Sequence, residues 1–387
     1  MIDVKLKEYA TDRQAEYIDA VNKHGSNTRA AKALGIGRRA VDTGILSVKK
    51  KAASSGYAPD NDFTNPTAPG FGIKRVSTNY NEDGQINQQW VIQEQNKENQ
   101  QEAFKEYMAG FLEDVKGKAK KTVKPKLKHD KDLMSMIVIG DAHVGMYAWH
   151  EETGKTDFDT DIACRDMRAA IDDLVERSPN AETGVLVDVG DFMHANTSDN
   201  ATAKGTALDV DTRFPRILRA AGMVMRYCID KMLTKYKNVV VIIAKGNHNP
   251  EPAVAVALML NFYYDKEPRV DVKDTIGMFH YLEWGRHLIG VNHGDKIKPA
   301  RLVSVMARDQ AEAWGRTRFR RWITGHIHHE RVIEHDGCTV ESFNTLAPPD
   351  AWHSGAGYGG SQSMSLITLH KTKGRHSRHI YDLPEGE

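Results

Sequence analysis

Five short apolar runs beyond residue 133 each stop at an Asp, Asn or His beside a glycine. Met134–Ile139 leads into Gly140-Asp141-Ala142-His143-Val144-Gly145, and Gly184–Val189 into Gly190-Asp191-Phe192-Met193-His194. Val239–Ala244 precedes Gly246-Asn247-His248-Asn249, His287–Val291 precedes Asn292-His293-Gly294-Asp295, and Arg321–Thr324 precedes Gly325-His326-Ile327-His328. Runs this short and apolar read as buried strands. Between them lie stretches with helical character, Ile162–Glu176, Arg213–Tyr236, Pro252–Asn261 and Pro299–Trp314. Strands alternating with helices predict an α/β layered core. The tail adds β-like runs at Arg331–Glu334, Thr339–Phe343 and Ser363–His370, expected to complete a second sheet. In open α/β sheets ligands bind beyond the carboxyl ends of the strands, which is where all five polar motifs fall.

The residue types restrict the chemistry. Asp141 and His143 on one turn set a carboxylate beside an imidazole, and His326 and His328 repeat the spacing. The glycines let the backbone turn sharply and approach a substrate. Carboxylate, imidazole and amide oxygen suit Mn, Fe or Zn, whereas a structural zinc site would call for cysteines. The chain has three scattered cysteines, Cys164, Cys228 and Cys338, which suit a reducing compartment and no disulfide framework. A lone histidine near a strand is usually structural. His280, His287, His335, His353, His376 and His379 are read that way.

Together the motifs resemble the calcineurin-like metallophosphoesterase superfamily, whose pattern is D-x-H, GD, GNH, H and GH-x-H. The match covers about residues 134–370. The resemblance implies a pair of stacked mixed sheets flanked by helices. It also implies two divalent metal ions, with Mn2+ expected first and Fe or Zn as alternatives. Asp141, His143, Asp191 and His328 would hold one ion. Asp191, Asn247, His293 and His326 would hold the other, with Asp191 bridging. His248 would stand by the leaving group. Two such metals, about 4 Å apart, activate a shared water for in-line attack on phosphorus.

Within the superfamily, Asp141-Ala142-His143-Val144-Gly145 and Gly190-Asp191-Phe192-Met193-His194 resemble the DNA-repair nuclease branch (D-x-H-L-G and GD-L-F-H). Protein phosphatases carry GD-x-x-D-R instead. By this resemblance His194 would help position the scissile phosphate. The nuclease branch reads GNHD where this chain has Asn249, and an amide can orient the neighbouring histidine without compensating its charge. That branch also continues into a DNA-capping domain and an ATPase-binding segment. Here the chain stops at Glu387, which counts against processive exonuclease action and against an ATPase partner. Members of the branch are dimers, so a homodimer stays open, although no dimer surface is legible. The polar loop Ala195–Asp211 and the segment Trp352–Gly360 are candidates to border the site, or are ordinary surface loops.

The first half reads differently. Thr11–Lys23 is a first helix. Asn27 can cap a second, Thr28–Leu34. Gly35-Ile36-Gly37 breaks it, and a third helix starts near Arg38. Ala31, Leu34, Ile36, Val41 and Ile45 would pack inside. This resembles a helix-turn-helix of the homeodomain-like kind, although Gly44 is a poor residue for a recognition helix. Arg29, Lys32, Arg38, Arg39, Lys49, Lys50 and Lys51 are the candidate DNA contacts; the alternative is a plain helical bundle with solvated lysines. Residues 56–71 read as a linker, Ile73–Tyr80 and Gln85–Gln93 as a hairpin, and Lys97–Val115 as a polar helix. The lysine-rich stretch 116–131 is a solvated linker or a phosphate contact. The layout resembles phage-encoded metallophosphoesterases with an N-terminal helix-turn-helix.

The expected fold is therefore α/β, a two-sheet sandwich flanked by helices with a small N-terminal helical domain. The expected domains are 1–55, a linker region 56–132, and a catalytic domain 133–387. A net charge of +1 says little about partners. The longest apolar stretch, Ala253–Leu260, is too short to span a bilayer, and the charged N-terminus lacks a signal core, so a cytoplasmic protein is expected. The leading functional reading is a metal-dependent DNA nuclease, either an endonuclease or a nickase. The alternatives are a phosphatase or phosphodiesterase acting on phosphoproteins or small nucleotides, and a DNA-binding regulator without turnover.

Overall fold

The computed structural model describes residues 1–61, 71–81, 86–95, 116–119 and 122–384. The chain divides into two compact units, Met1–Gly110 and Phe111–Glu387. The polar helix expected at 97–115 lies outside the described residues.

In the first unit α1 (Asp12–His24) starts at a capping box. Thr11 Oγ1 accepts the Gln14 amide while Gln14 Oε1 accepts that of Thr11. It stops at Gly25, whose φ of 77° an L side chain rarely adopts. α2 (Asn27–Ala33) is capped by Ser26, which accepts the Arg29 amide, and not by Asn27 as expected. Asn27 is instead the first helical residue and donates its side-chain amide to Asp42 at 2.7 Å, joining α2 to α3 (Arg38–Ser54). Val41 and Ile45 of α3 pack on Ala20, Val21, Ala30 and Ala31, with Leu34 and Ile36 partly buried beside them. Gly44 has a packing reason. A Cβ there would stand 2.7 Å from the Tyr17 ring, so the glycine is what lets α1 and α3 approach. Packing continues past residue 55, because Tyr57 is buried with Leu6, Ile18, Val48 and Ala52 and donates to Asp3. The expected hairpin is present as β1 (Phe71–Tyr80) paired antiparallel with β2 (Ile86–Gln95).

The second unit has the expected architecture of two stacked mixed sheets flanked by helices. The larger sheet runs β13-β12-β3-β4-β5-β6. Its strands are β3 (Asp130–Ile139), β4 (Ala181–Asp188), β5 (Asn238–Ile243), β6 (Val270–Lys273), β12 (Ser363–His370) and β13 (Gly374–Asp382). β3 to β6 are parallel, and β12 returns antiparallel along β3. The smaller sheet runs β10-β11-β9-β8-β7. It comprises β7 (His280–Trp284), β8 (His287–Val291), β9 (Phe319–Thr324), β10 (Arg331–His335) and β11 (Cys338–Ser342). The tail strands therefore split: β10 and β11 join the smaller sheet, while β12 and β13 extend the larger one.

Alternation along β3 shows how the layers form. Met134, Met136 and Val138 face the smaller sheet and meet Ile289, Val291, Ile323 and Phe343. Ile137 and Ile139 point the other way, into a core shared with the helices. Those helices are α5 (Thr160–Arg177), α6 (Phe214–Leu233) and α7 (Pro250–Tyr263), which follow a single turn, α4 (His150–Thr153). The far side of the smaller sheet is covered by α8 (Pro299–Asp309) and α9 (Ala311–Arg316), where Leu302 and Met306 pack on Trp322. One helix was expected over 299–314. It breaks at Gln310, whose φ and ψ of −125° and 43° are not helical. The last helix, α10 (Ala351–Gly355), was not expected at all.

Part of the lysine-rich stretch is anchored. The amides of Gly117 and Ala119 donate to the Phe262 and Tyr263 carbonyls at the end of α7. Among the described residues no helix is long and apolar enough to cross a membrane.

Candidate metal centre

The polar motifs all follow strands at one edge of the second unit. Asp141 and His143 follow β3, Asp191 and His194 follow β4, and Asn247 and His248 follow β5, all in the larger sheet. His293 follows β8, and His326 and His328 follow β9, in the smaller sheet. Their ligand atoms gather into groups within 4.8 Å of one another. One group is Asp141, His143 and His328; another is Asp191, His293 and His326. Each of these combines both sheets.

In the first group His143 Nε2 lies 3.2 Å from His328 Nε2, and His328 Nε2 lies 3.8 Å from Asp141 Oδ1. Burial, and the imidazoles of His248, His328 and His194, hold His143 well below its ordinary pKa. A neutral His143 keeps a lone pair for a cation. In the second group His293 Nε2 lies 3.0 Å from Asp191 Oδ2 and 3.0 Å from Asn247 Oδ1. His293 Nδ1 is 3.1 Å from the Val189 carbonyl and carries the proton there. Its Nε2 therefore faces two acceptor oxygens. Burial opposes charge on His293, yet Asp191 and Asp141 raise its pKa to about 9. Without a cation, a second proton on this imidazole supplies the positive charge that the two carboxylates demand. Oxygen and imidazole donors converging this way, with acceptor facing acceptor, fit divalent metal ions. His293 Nδ1 also lies 3.6 Å from Asp141 Oδ1, so the two groups adjoin.

The backbone is bent to present these groups. Among the described non-glycine residues with positive φ are His143 at 46°, Asp191 at 52°, His326 at 70° and His328 at 53°. Such conformations cost about 1–3 kcal/mol each and cluster at functional sites. Two glycines make the room. A Cβ on Gly246 would stand 1.8 Å from Asp191 Oδ1, and one on Gly325 would stand 2.5 Å from Asp141 Oδ2. Asp141 is held in place by the His326 amide, 3.0 Å from both its carboxylate oxygens, and by Thr345 Oγ1, which donates to its carbonyl at 2.7 Å.

The two residues expected to act on substrate lie together. His248 Nδ1 is 2.8 Å from the His194 carbonyl, and its amide donates to Asp191 Oδ1 at 2.7 Å. Nδ1 therefore carries a proton toward that carbonyl, and Nε2 holds the lone pair of the neutral ring. The His194 ring stacks on that of His248 at 5.2 Å, its Nδ1 is 3.2 Å from His143 Nδ1, and its Nε2 is buried without a hydrogen-bond partner. Burial and His248 push the His194 pKa down to about 3. Asn249 takes a different part from the one expected. It turns its Oδ1 to the Asp191 amide at 3.1 Å and so braces the Asp191 turn, while His248 is oriented by the His194 carbonyl.

Two neighbours, Asp188 and His353, were not read as site residues in the sequence, although the segment Trp352–Gly360 that carries His353 was a candidate to border the site. Asp188, at the end of β4, is buried, has one unpartnered carboxylate oxygen, and is pushed by burial to a pKa of about 8. Its position two residues before Gly190 was the available signal. His353, read as structural, stacks on His328 at 5.1 Å and is held by Asp350 at 2.7 Å. The cleft beside His328 is walled by Thr345, Pro349, His353 and Tyr358.

Of the candidate DNA contacts, Arg29, Lys32, Arg38, Arg39, Lys50 and Lys51 are exposed in the first unit. Lys49 is partly buried and pairs with Asp60 at 2.5 Å, and Arg38 lies 3.2 Å from Asp42.

No family model matches the sequence, and no curated protein matches it. Solved structures do. A conserved protein of Streptococcus pneumoniae described as a predicted phosphoesterase is 10% identical over 65% of this chain and 99% of its own, with a TM-score of 0.29. An archaeal phosphodiesterase is 15% identical over 65% of this chain and 100% of its own, at 0.32. Zinc-complexed Vps29 from Entamoeba histolytica is 14% identical over 65% and 100%, at 0.26. Scores of that size leave the function to be read from the residues themselves.

Proposed function

We propose that the chain is a metal-dependent phosphodiester hydrolase acting on DNA. The observation that carries this reading is the pair of adjoining donor groups, Asp141-His143-His328 and Asp191-His293-His326, with Asn247 at hydrogen-bond distance from the second. Asp141, His143, Asp191 and His328 would hold one divalent ion, and Asp191, Asn247, His293 and His326 the other. Two bound divalent ions, Mn2+ by preference, would acidify a shared water and neutralise charge on the phosphoryl oxygens. The protein's own residues do the remainder. The His194 carbonyl accepts from His248 Nδ1 and orients the ring, so that Nε2, when it carries the second proton of the imidazolium, would donate to the departing oxygen. By this reading His194, stacked on His248, would help position the scissile phosphate.

DNA is favoured as substrate by the motif variants at Val144-Gly145 and His194, and by the exposed arginines and lysines of α2 and α3. We read Arg29, Lys32, Arg38, Arg39, Lys49, Lys50 and Lys51 as phosphate contacts, which raise affinity without specifying sequence.

The test is incubation with supercoiled plasmid and with labelled single-stranded and duplex DNA in Mn2+, Mg2+ or EDTA, beside Asp191→Ala. Nicking or degradation in Mn2+ is expected, reduced about a hundredfold or more in the variant. Intact DNA together with hydrolysis of an aryl phosphodiester would move the substrate to a small molecule. DNA binding with no hydrolysis of either would leave a regulator.

A further inference from the structure

Among the described residues of the second unit, the exposed Trp, Tyr and Phe side chains are Tyr147, Trp149, Trp352 and Tyr358. They sit on two segments only. Tyr147 and Trp149 lie just past the Asp141–Gly145 turn, and Trp149 precedes α4. Trp352 and Tyr358 lie on α10 and the loop after it. The segments are joined, because Ser354 Oγ donates to the Thr153 carbonyl at 2.8 Å. Large rings scattered singly over a surface need no explanation, but a gathering at the rim of a phosphoester site does.

The geometry continues inward. Trp352 and Tyr358 stack nearly parallel, at 6.0 Å and 19°, yet remain 68% and 58% exposed, so an open aromatic face is presented to solvent. Trp352 meets His353 edge-on at 4.9 Å. His353, anchored by Asp350, stacks on the metal-group residue His328 at 5.1 Å. Two ring-to-ring steps thus connect the open face to the donor atoms. Gly359 and Gly360 line the intervening cleft, and Gly360 approaches closely, since a Cβ there would stand 2.7 Å from the His328 carbonyl.

We infer that Trp352 and Tyr358 form a stacking platform for an unpaired nucleobase adjoining the scissile phosphate. The proposal rests on the phosphodiesterase reading of the metal centre and names the part of the substrate that the reading leaves open. A nucleobase is the occupant chosen because it is a planar ring carried on a phosphate chain. A strand with one phosphate at the donor groups brings a neighbouring base over these rings. Every base has a π-face, so such a platform favours single-stranded or frayed nucleic acid without selecting sequence. A stacked pair is also pre-ordered, since each ring restricts the other before the base arrives.

The experiment compares equilibrium binding of the full chain, in EDTA, to a fluorescent oligothymidylate and to an abasic oligonucleotide of the same length. The two carry the same phosphate charge, so their affinity ratio isolates the bases. Wild type should prefer the thymidylate by about tenfold. Trp352→Ala and Tyr358→Ala should bring the ratio close to one, and Trp352→Phe should keep most of it. Equal affinity for both oligonucleotides in wild type would overturn the platform, as would an undiminished ratio in both alanine variants. Mn2+-dependent hydrolysis of an aryl phosphodiester is followed on the same preparations. Hydrolysis intact with no base preference removes the platform alone. Base preference intact with no diester hydrolysis keeps the platform as a binding site and removes the reaction.

Discussion

Asp191 shows how much one residue position can carry. Its side chain faces His293, its backbone sits at a φ of 52°, its amide is taken by Asn249, and its carboxylate accepts the His248 amide. None of this tolerates an atom added opposite. Gly246→Ala would drive a methyl group into Asp191, with 1.8 Å to Oδ1 and 2.3 Å to the amide nitrogen. The expected outcome is loss of metal-dependent hydrolysis by about a hundredfold or more while far-ultraviolet circular dichroism is kept. Gly315→Ala, where nothing lies within 4 Å, is the matched control and should be neutral or slightly stabilising. Activity assays on both variants check the pair. At this scale the sequence was legible where chemistry is local. Asp141, His143, Asp191, Asn247, His293, His326 and His328 stand in short motifs, and the structure brings all seven to one edge. What the sequence did not reveal is where a side chain goes once the fold closes. Asn249 points to Asp191 and His353 points to His328, and neither pairing has a signature in neighbouring residues.

Most strands found from the sequence lie inside a sheet, whereas β10, found from its alternation, is an exposed edge strand. β3, β4, β5, β8 and β9 are apolar because they lie inside a sheet or between layers. The strands that were missed, β6, β7 and β13, are all edge strands. An edge strand is half solvated and carries residues such as Glu283 or Arg375, so its alternation is weak. Helix ends depend on distant partners in the same way. Arg269, next to β6, is buried and donates to the Leu233 and Tyr236 carbonyls at 2.6 and 2.8 Å. It also donates to the Lys237 carbonyl at 3.0 Å and to Thr122 Oγ1 at 2.8 Å. One guanidinium thus closes the end of α6 and holds Thr122. Arg269→Ala leaves those carbonyls without donors and should destabilise the second unit by about 2–4 kcal/mol. Urea melts followed by tryptophan fluorescence check it. A shift in midpoint under about 0.5 kcal/mol would show that water replaces the side chain there.

For the whole molecule, the division at residue 110 separates the exposed arginines and lysines of α2 and α3 from the donor groups. A fragment of residues 111–387 should melt in one cooperative transition. It should hydrolyse an aryl phosphodiester within about twofold of the full chain. Its DNA affinity should be lower and less sensitive to salt, because fewer phosphates are neutralised. Calorimetry and binding at several salt concentrations test this. Equal salt slopes for the two proteins would assign the phosphate contacts to the second unit. The architecture of that unit was legible in outline, since five apolar runs alternating with helices predict layers. The split of the tail between two sheets was not, because strand order is decided by contacts far apart in the chain.

The groups Asp141-His143-His328 and Asp191-His293-His326 both draw on the two sheets, and their members run from Asp141 to His328 and from Asp191 to His326 in the sequence. Contacts of that span form late in folding, because the intervening chain must be ordered first. No partly folded form of the second unit can hold a complete donor set before the two sheets have docked. Under the proposed hydrolase reading, competence is therefore all-or-none: a nascent or damaged chain would be inert, and activity would arise only in the last step of the protein's own assembly.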